Sequence, residues 1–102
     1  MDDARFTRIA KALADPRRFE ILQTIAAGEE TPCKQLVQEF PVSQATISHH
    51  LRALADAGLI EPRREGQCGF YRTRPGALAE YLDEIARRLR VASPAGGRGR
   101  NF

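Results

Sequence analysis

A chain of 102 residues carrying a net charge of +3 has room for one small domain, barely large enough to build its own core. No apolar run approaches the eighteen or so residues of a bilayer span, and the start lacks a secretion-signal core, so the expectation is a cytoplasmic protein with no membrane partner. The two cysteines then belong in a reducing compartment, not in a disulfide framework, and a pI of 9.3 suits a nucleic-acid partner, as it suits many soluble domains.

Asp2 or Asp3 is placed to cap a first helix whose stripe is Phe6, Ile9, Ala10 and Leu13. Asp15 and Pro16 open a second helix, with Phe19, Leu22, Ile25 and Ala26 turned inward and Gly28 closing it. A short third helix is read over 34–40, with Leu36, Val37 and Phe40 on one side, Thr31 as its cap and Pro32 in its first turn. Pro41-Val42 breaks that helix and leads straight into Ser43.

The stretch 43–54 is the most informative in the chain. Ile47, Leu51 and Leu54 recur at three- and four-residue steps and must share a buried side. Gln44, Ala45, Thr46, Ser48, His49 and Arg52 fall on the other side, and most are hydrogen-bonding groups of the kind that read base edges. An ordinary surface helix would carry more Glu and Lys there. Ser43 is a good N-cap, and Gly58 is placed to end the helix in the left-handed conformation. Two helices joined by about three residues make a helix-turn-helix, whose second helix enters the major groove.

Beyond Gly58, residues 59–64 and 69–74 look like two strands joined by the polar Glu65-Gly66-Gln67-Cys68. Arg63, Arg64, Arg72 and Arg74 make this hairpin basic, as suits a wing lying along phosphates. A last helix over 77–91 places Leu78, Tyr81, Leu82, Ile85 and Leu89 on one face, with Glu80, Asp83, Glu84, Arg87, Arg88 and Arg90 opposite. That is more apolar surface than one small domain can bury alone. Residues 93–102 have the composition of a disordered basic tail, and Gly97-Arg98-Gly99-Arg100 is similar to a minor-groove Arg-Gly-Arg core without its flanking prolines. The expected fold is mainly α with a small β-hairpin: a winged helix-turn-helix of about five helices plus a two-stranded wing, over residues 1–92.

Three blocks of this chain resemble the ArsR/SmtB repressor family. Ala12-Leu13-Ala14-Asp15-Pro16-Arg17-Arg18-Phe19-Glu20-Ile21-Leu22 is similar to the family's opening segment, and Ser43 to Leu51 to its recognition-helix signature. Ala57-Gly58-Leu59-Ile60, Arg63-Arg64-Glu65-Gly66 and Phe70-Tyr71-Arg72 are similar to its wing. The resemblance implies a homodimeric transcription factor that represses its own operon from an imperfect inverted repeat and leaves DNA when an inducer binds. It also implies an interface between the first and last helices, with Phe6, Ile9, Leu13, Leu78, Tyr81, Leu82, Ile85 and Leu89 as candidates.

On that reading, base contacts fall to Gln44, Thr46, Ser48, His49 and Arg52. Phosphate contacts fall to Ser43, Arg63, Arg64 and Arg72, with Lys34 in addition; Arg74 is as readily structural. The family's metal patterns are missing. Pro32 and Lys34 occupy the positions of the arsenic-binding cysteine pair, with Cys33 between them, and residues 77–91 contain no histidine for a zinc site. No metal and no cofactor are expected. Cys33 either fills a valine-like position or, with Cys68 in the wing, forms a thiol sensor for oxidant or trivalent arsenic. His49 and His50 are adjacent on a helix, point about 100° apart and cannot chelate one ion. Ser48-His49 has no oxyanion site or nucleophile elbow beside it, so no enzyme is expected. A winged-helix protein-interaction module is the other class to weigh, and it would place apolar residues on the outer face of 43–54.

Overall fold

Three of the five helices in the computed structural model, which describes residues 1–92, begin where a side chain satisfies their first free N–H groups. Helix α1 (Asp3–Ala14) starts at Asp2, whose carboxylate accepts the Arg5 N–H at 2.8 Å. Helix α2 (Pro16–Ala27) starts at Asp15, which accepts the Arg18 N–H at 2.9 Å, with Pro16 in the first turn. Helix α4 (Gln44–Asp56) starts at Ser43, whose Oγ accepts the Thr46 N–H at 3.1 Å.

Helix α3 (Cys33–Glu39) has no such cap and corrects one expectation. Its N-cap is Pro32, without a side-chain cap bond, while Thr31 is buried and lies in a short strand β1 (Thr31–Pro32). That strand pairs antiparallel with β3 (Cys68–Thr73), Thr31 opposite Tyr71 and Pro32 opposite Phe70. Strand β2 (Ile60–Glu65) lies on the other side of β3, giving the order β1-β3-β2. The expected two-stranded wing is therefore part of a three-stranded sheet. An isolated two-stranded hairpin is marginally stable in water, and the third strand covers an otherwise open edge. The hairpin reverses at Gly66-Gln67, where Gly66 takes the positive φ of +62° that a tight two-residue connection needs.

Helix α3 stops at Phe40, which is extended (φ −109°, ψ 135°) as a residue before proline must be. The end of α4 is a Schellman motif. Gly58 has φ +76°, its N–H donates to Ala55 at 2.9 Å, and the Leu59 N–H donates to Leu54 at 3.0 Å. Helix α5 (Pro75–Leu89) follows the sheet and returns to α1. No helix among the described residues is long and apolar enough to cross a membrane.

The core gathers Ile9, Ile21, Ile25, Leu36, Ile47, Leu54, Leu59 and Ile60, all but sealed from solvent. On α2 the inward stripe is Ile21, Leu22 and Ile25, whereas Phe19 is 43% exposed and Ala26 is also outside. At about 100° per residue, Phe19 and Ala26 flank that stripe instead of joining it.

Helices α1 and α5 are tied by both apolar and ionic contacts. Phe6 packs on Tyr81 with ring centroids 5.2 Å apart, and the Arg88 guanidinium sits 4.0 Å over Phe6. Arg88 also reaches Glu84 at 2.8 Å and Asp3 at 3.0 Å, while Arg87 bonds the same Glu84. These two arginines hold the buried Glu84 carboxyl down at about 2, from an ordinary 4.5. A depressed folded-state value stabilises the fold above the unfolded value and loses that contribution as the pH falls through the folded one. Melting temperatures of wild type and Glu84→Gln should therefore converge as the pH is lowered from 4.5 toward 2. A gap that stays constant over that window would show that the network adds nothing.

Candidate nucleic-acid interface

Helix α4 has two faces set by its periodicity. Ile47, His50, Leu51 and Leu54 are buried, and Ala45, His49, Arg52 and Asp56 form an exposed ridge opposite them. Gln44 and Ser48 are exposed on one flank of the ridge. Of the five residues expected to contact bases, four (Gln44, Ser48, His49 and Arg52) are thus presented to solvent. Thr46 is half-buried, and its hydroxyl accepts a bond from Ser43 at 3.0 Å. Ser43 and Thr46 are engaged in capping α4, a role that leaves their hydroxyls partly committed.

His50 is buried, and its ring takes part in a side-chain hydrogen bond. Arg18 Nε donates to His50 Nδ1 at 3.3 Å, and Arg18 in turn lies 4.0 Å from Asp15, the cap of α2. Burial pushes the His50 pKa below its ordinary value, with Asp15 opposing, so the ring is neutral and can accept this bond. The His49 and His50 rings stand 5.8 Å apart and tilted by 53°. No group of three or more metal-ligating side chains occurs among the described residues.

The wing arginines divide by face. Arg63 forms a two-pronged bond to Glu30, at 2.8 and 2.9 Å, and its guanidinium lies 4.7 Å over Phe70. Arg72 pairs with Glu61 at 3.1 Å, and Arg74 reaches the same Glu61 at 3.8 Å. Arg64, on the opposite face of β2 from Arg63, has no carboxylate within ion-pair distance among the described residues. It borders a cleft of about 650 Å³ whose other walls include Gln44 and Ser48 of α4, Cys33 and Lys34 of α3, and Tyr71 of β3. Nothing local to Arg63 points to Glu30, which lies far from it along the chain. Glu61 faces Arg72 across the hairpin and becomes visible once the register is known.

Cys33 is half-buried against the core, and burial pushes its thiol pKa up, with Arg64 opposing. A raised value makes a poor nucleophile and agrees with the small apolar filler. Cys68 sits opposite Glu65 at the end of the hairpin ladder; its side chain, and the tail at 93–102, lie outside what is described.

The candidate dimer residues also separate. Ile9 and Tyr81 are spent inside the chain, at 0% and 7% exposure, because α1 and α5 close the core with them. Phe6, Leu13, Leu78 and Ile85 are half-buried, and Leu82, Leu89 and Val91 are exposed at 46%, 69% and 60%. The available apolar surface is therefore narrower than the sequence suggested, and it includes Val91.

A helix-turn-helix domain family matches residues 13–63, which span α2, α3 and α4. The arsenical resistance operon repressor of Staphylococcus xylosus is 35% identical over 91 residues, covering 89% of this chain and 83% of its own. Among solved structures, an ArsR-like transcriptional regulator from Rhodococcus sp. RHA1 superposes with a TM-score of 0.73 at 29% identity, covering 84% of this chain and 79% of that one. The homodimeric winged helix-turn-helix DNA-binding domain of a possible ArsR-family regulator from Mycobacterium bovis gives a TM-score of 0.68 at 28% identity, covering 88% and 90%.

Proposed function

Because the chain belongs to the ArsR family of winged helix-turn-helix transcriptional regulators, we propose that it is a dimeric repressor whose α4 ridge reads an inverted-repeat operator. The observation that carries this reading is the outer face of α4. The side chains of Gln44, Ser48, His49 and Arg52 are exposed there with no hydrogen-bond partner among the described residues, while most arginines elsewhere are held by carboxylates. A protein-docking helix would present apolar groups at these positions. Arg64 and Ser43 supply phosphate contacts beside the ridge; Arg63 and Arg72 would first have to exchange Glu30 and Glu61 for DNA.

Leu82, Leu89 and Val91, with the half-buried Phe6, Leu13, Leu78 and Ile85, form the face where a second copy docks; the similar Mycobacterium domain is itself homodimeric. The two recognition helices then enter successive major grooves about 34 Å apart, and the operator is a near-palindrome. Residues 1–92 make up the whole folded unit in this reading. Release from DNA through Cys33 is disfavoured by its raised pKa, and Cys68 is the remaining thiol for such a response.

Fluorescence anisotropy with a duplex from the protein's own promoter tests the assignment. Arg52→Ala is expected to weaken operator binding by about 1–3 kcal/mol and to leave binding to unrelated duplex nearly unchanged. Equal losses on both duplexes would remove Arg52 from base readout. Repeating the titration with oxidant and with arsenite, on wild type and Cys68→Ser, decides the thiol question: release by wild type alone assigns the sensor to Cys68, and unchanged binding by both excludes it.

A further inference from the structure

The ridge of α4 runs between two clefts, and only one of them belongs to the wing. Successive residues advance by about 100°, so Gln44 and Ser48 face the wing cleft while Ala53 lies on the far flank. That far flank borders a second cleft of about 300 Å³, walled by Arg8 and Lys11 of α1, Arg18 of α2 and Asp56 of α4.

The distribution of ion pairs gives this second cleft its meaning. Among the described residues, the lysines and arginines with no carboxylate within ion-pair distance are Arg8, Lys11, Lys34, Arg52, Arg64 and Arg90. Arg90 lies at the end of α5, away from α4. The other five lie on α4 or along its two flanks: Lys34 and Arg64 on the wing side, Arg8 and Lys11 on the α1 side, Arg52 on the ridge. A helix about 10–12 Å across fills a major groove about 12 Å wide, so a sugar-phosphate backbone runs along each flank. The wing side supplies cations for one backbone. The α1 side holds the cations for the other.

We infer that Arg8 and Lys11 bind a backbone phosphate of the operator on the flank of α4 opposite the wing. Arg18, engaged by His50 and Asp15, forms the back of this site and adds positive charge without leaving its partners. Asp56 is the one acid in the cleft, against three cations. The inference rests on the proposed DNA binding and extends it to a helix that the recognition motif does not include.

The test uses the full chain and the salt dependence of its binding to promoter duplex and to an unrelated duplex. Arg8→Gln and Lys11→Gln are exposed, helix-compatible changes, and melting curves should match wild type. Each lost phosphate contact should reduce the slope of log K against log salt by about 0.9, on both duplexes. Arg90→Gln, which removes the same charge elsewhere, should leave the slope as it is. If the double variant keeps the wild-type slope while Arg64→Gln flattens it, the α1 site is wrong and the DNA-binding reading stands. If Arg90→Gln flattens the slope equally, the effect is overall charge and the α1 site is again wrong. Wild type that binds neither duplex overturns both.

Discussion

Leu82→Asp is expected to leave a folded monomer that has lost its grip on the operator. Leu82 is 46% exposed in the single chain, and Leu89 and Val91 near it are more so, at 69% and 60%. A carboxylate at position 82 therefore meets water in the monomer and costs the fold little. In a dimer built on this face it would be buried against apolar groups without a partner, which association cannot repay. Linking two half-site binders raises apparent affinity by about 10²–10⁴, so separation should weaken operator binding by at least about 100-fold. Sedimentation velocity would report the monomer, and anisotropy the lost affinity. A Leu82→Asp protein that remains dimeric and binds like wild type would place the interface elsewhere.

Leu54→Ala should produce one of the largest losses of stability that a single truncation in α4 can cause. The side chain is fully buried in the core, and its carbonyl anchors the Schellman motif that turns the chain toward the wing. Truncating a buried Leu to Ala costs about 2–5 kcal/mol, from lost burial plus the cavity left behind. Each kcal/mol lowers the melting temperature of a domain this size by about 4–8 °C. Phe19→Ala, at a larger but 43% exposed residue, should cost clearly less. Both proteins must be melted at the same protomer concentration, since dimerisation contributes to the transition. Equal shifts for the two variants would mean that the inward stripe of α2 and α4 has been misplaced.

What the chain revealed about itself was local. Asp2, Asp15, Ser43 and Gly58 act within one helical turn of themselves, and each caps or ends the helix its neighbours implied. The misreadings are of other kinds. Thr31 looked like a cap, because nothing nearby reveals that Phe70 and Tyr71 will pair with its strand some forty positions later. Phe19 looked inward, because a 3.6-residue period allows two overlapping stripes and only packing chooses between them. The site was legible to the same extent. The polar ridge of α4 is a property of one helix, whereas Glu30 against Arg63 and the cations of α1 beside α4 exist only once distant segments have met.

The third strand and the Glu30–Arg63 bond have a consequence for the entropy of DNA binding. A free hairpin ribbon would surrender backbone freedom when DNA fixed it, at about 1–2 kcal/mol for each residue ordered. Here β1 pairs with the open edge of β3, and Arg63 tethers β2 to the segment before β1. The wing has therefore given up its disorder before any duplex arrives. That loss is charged to folding, and what association still has to supply on this strand is the exchange of Glu30 for a phosphate at Arg63.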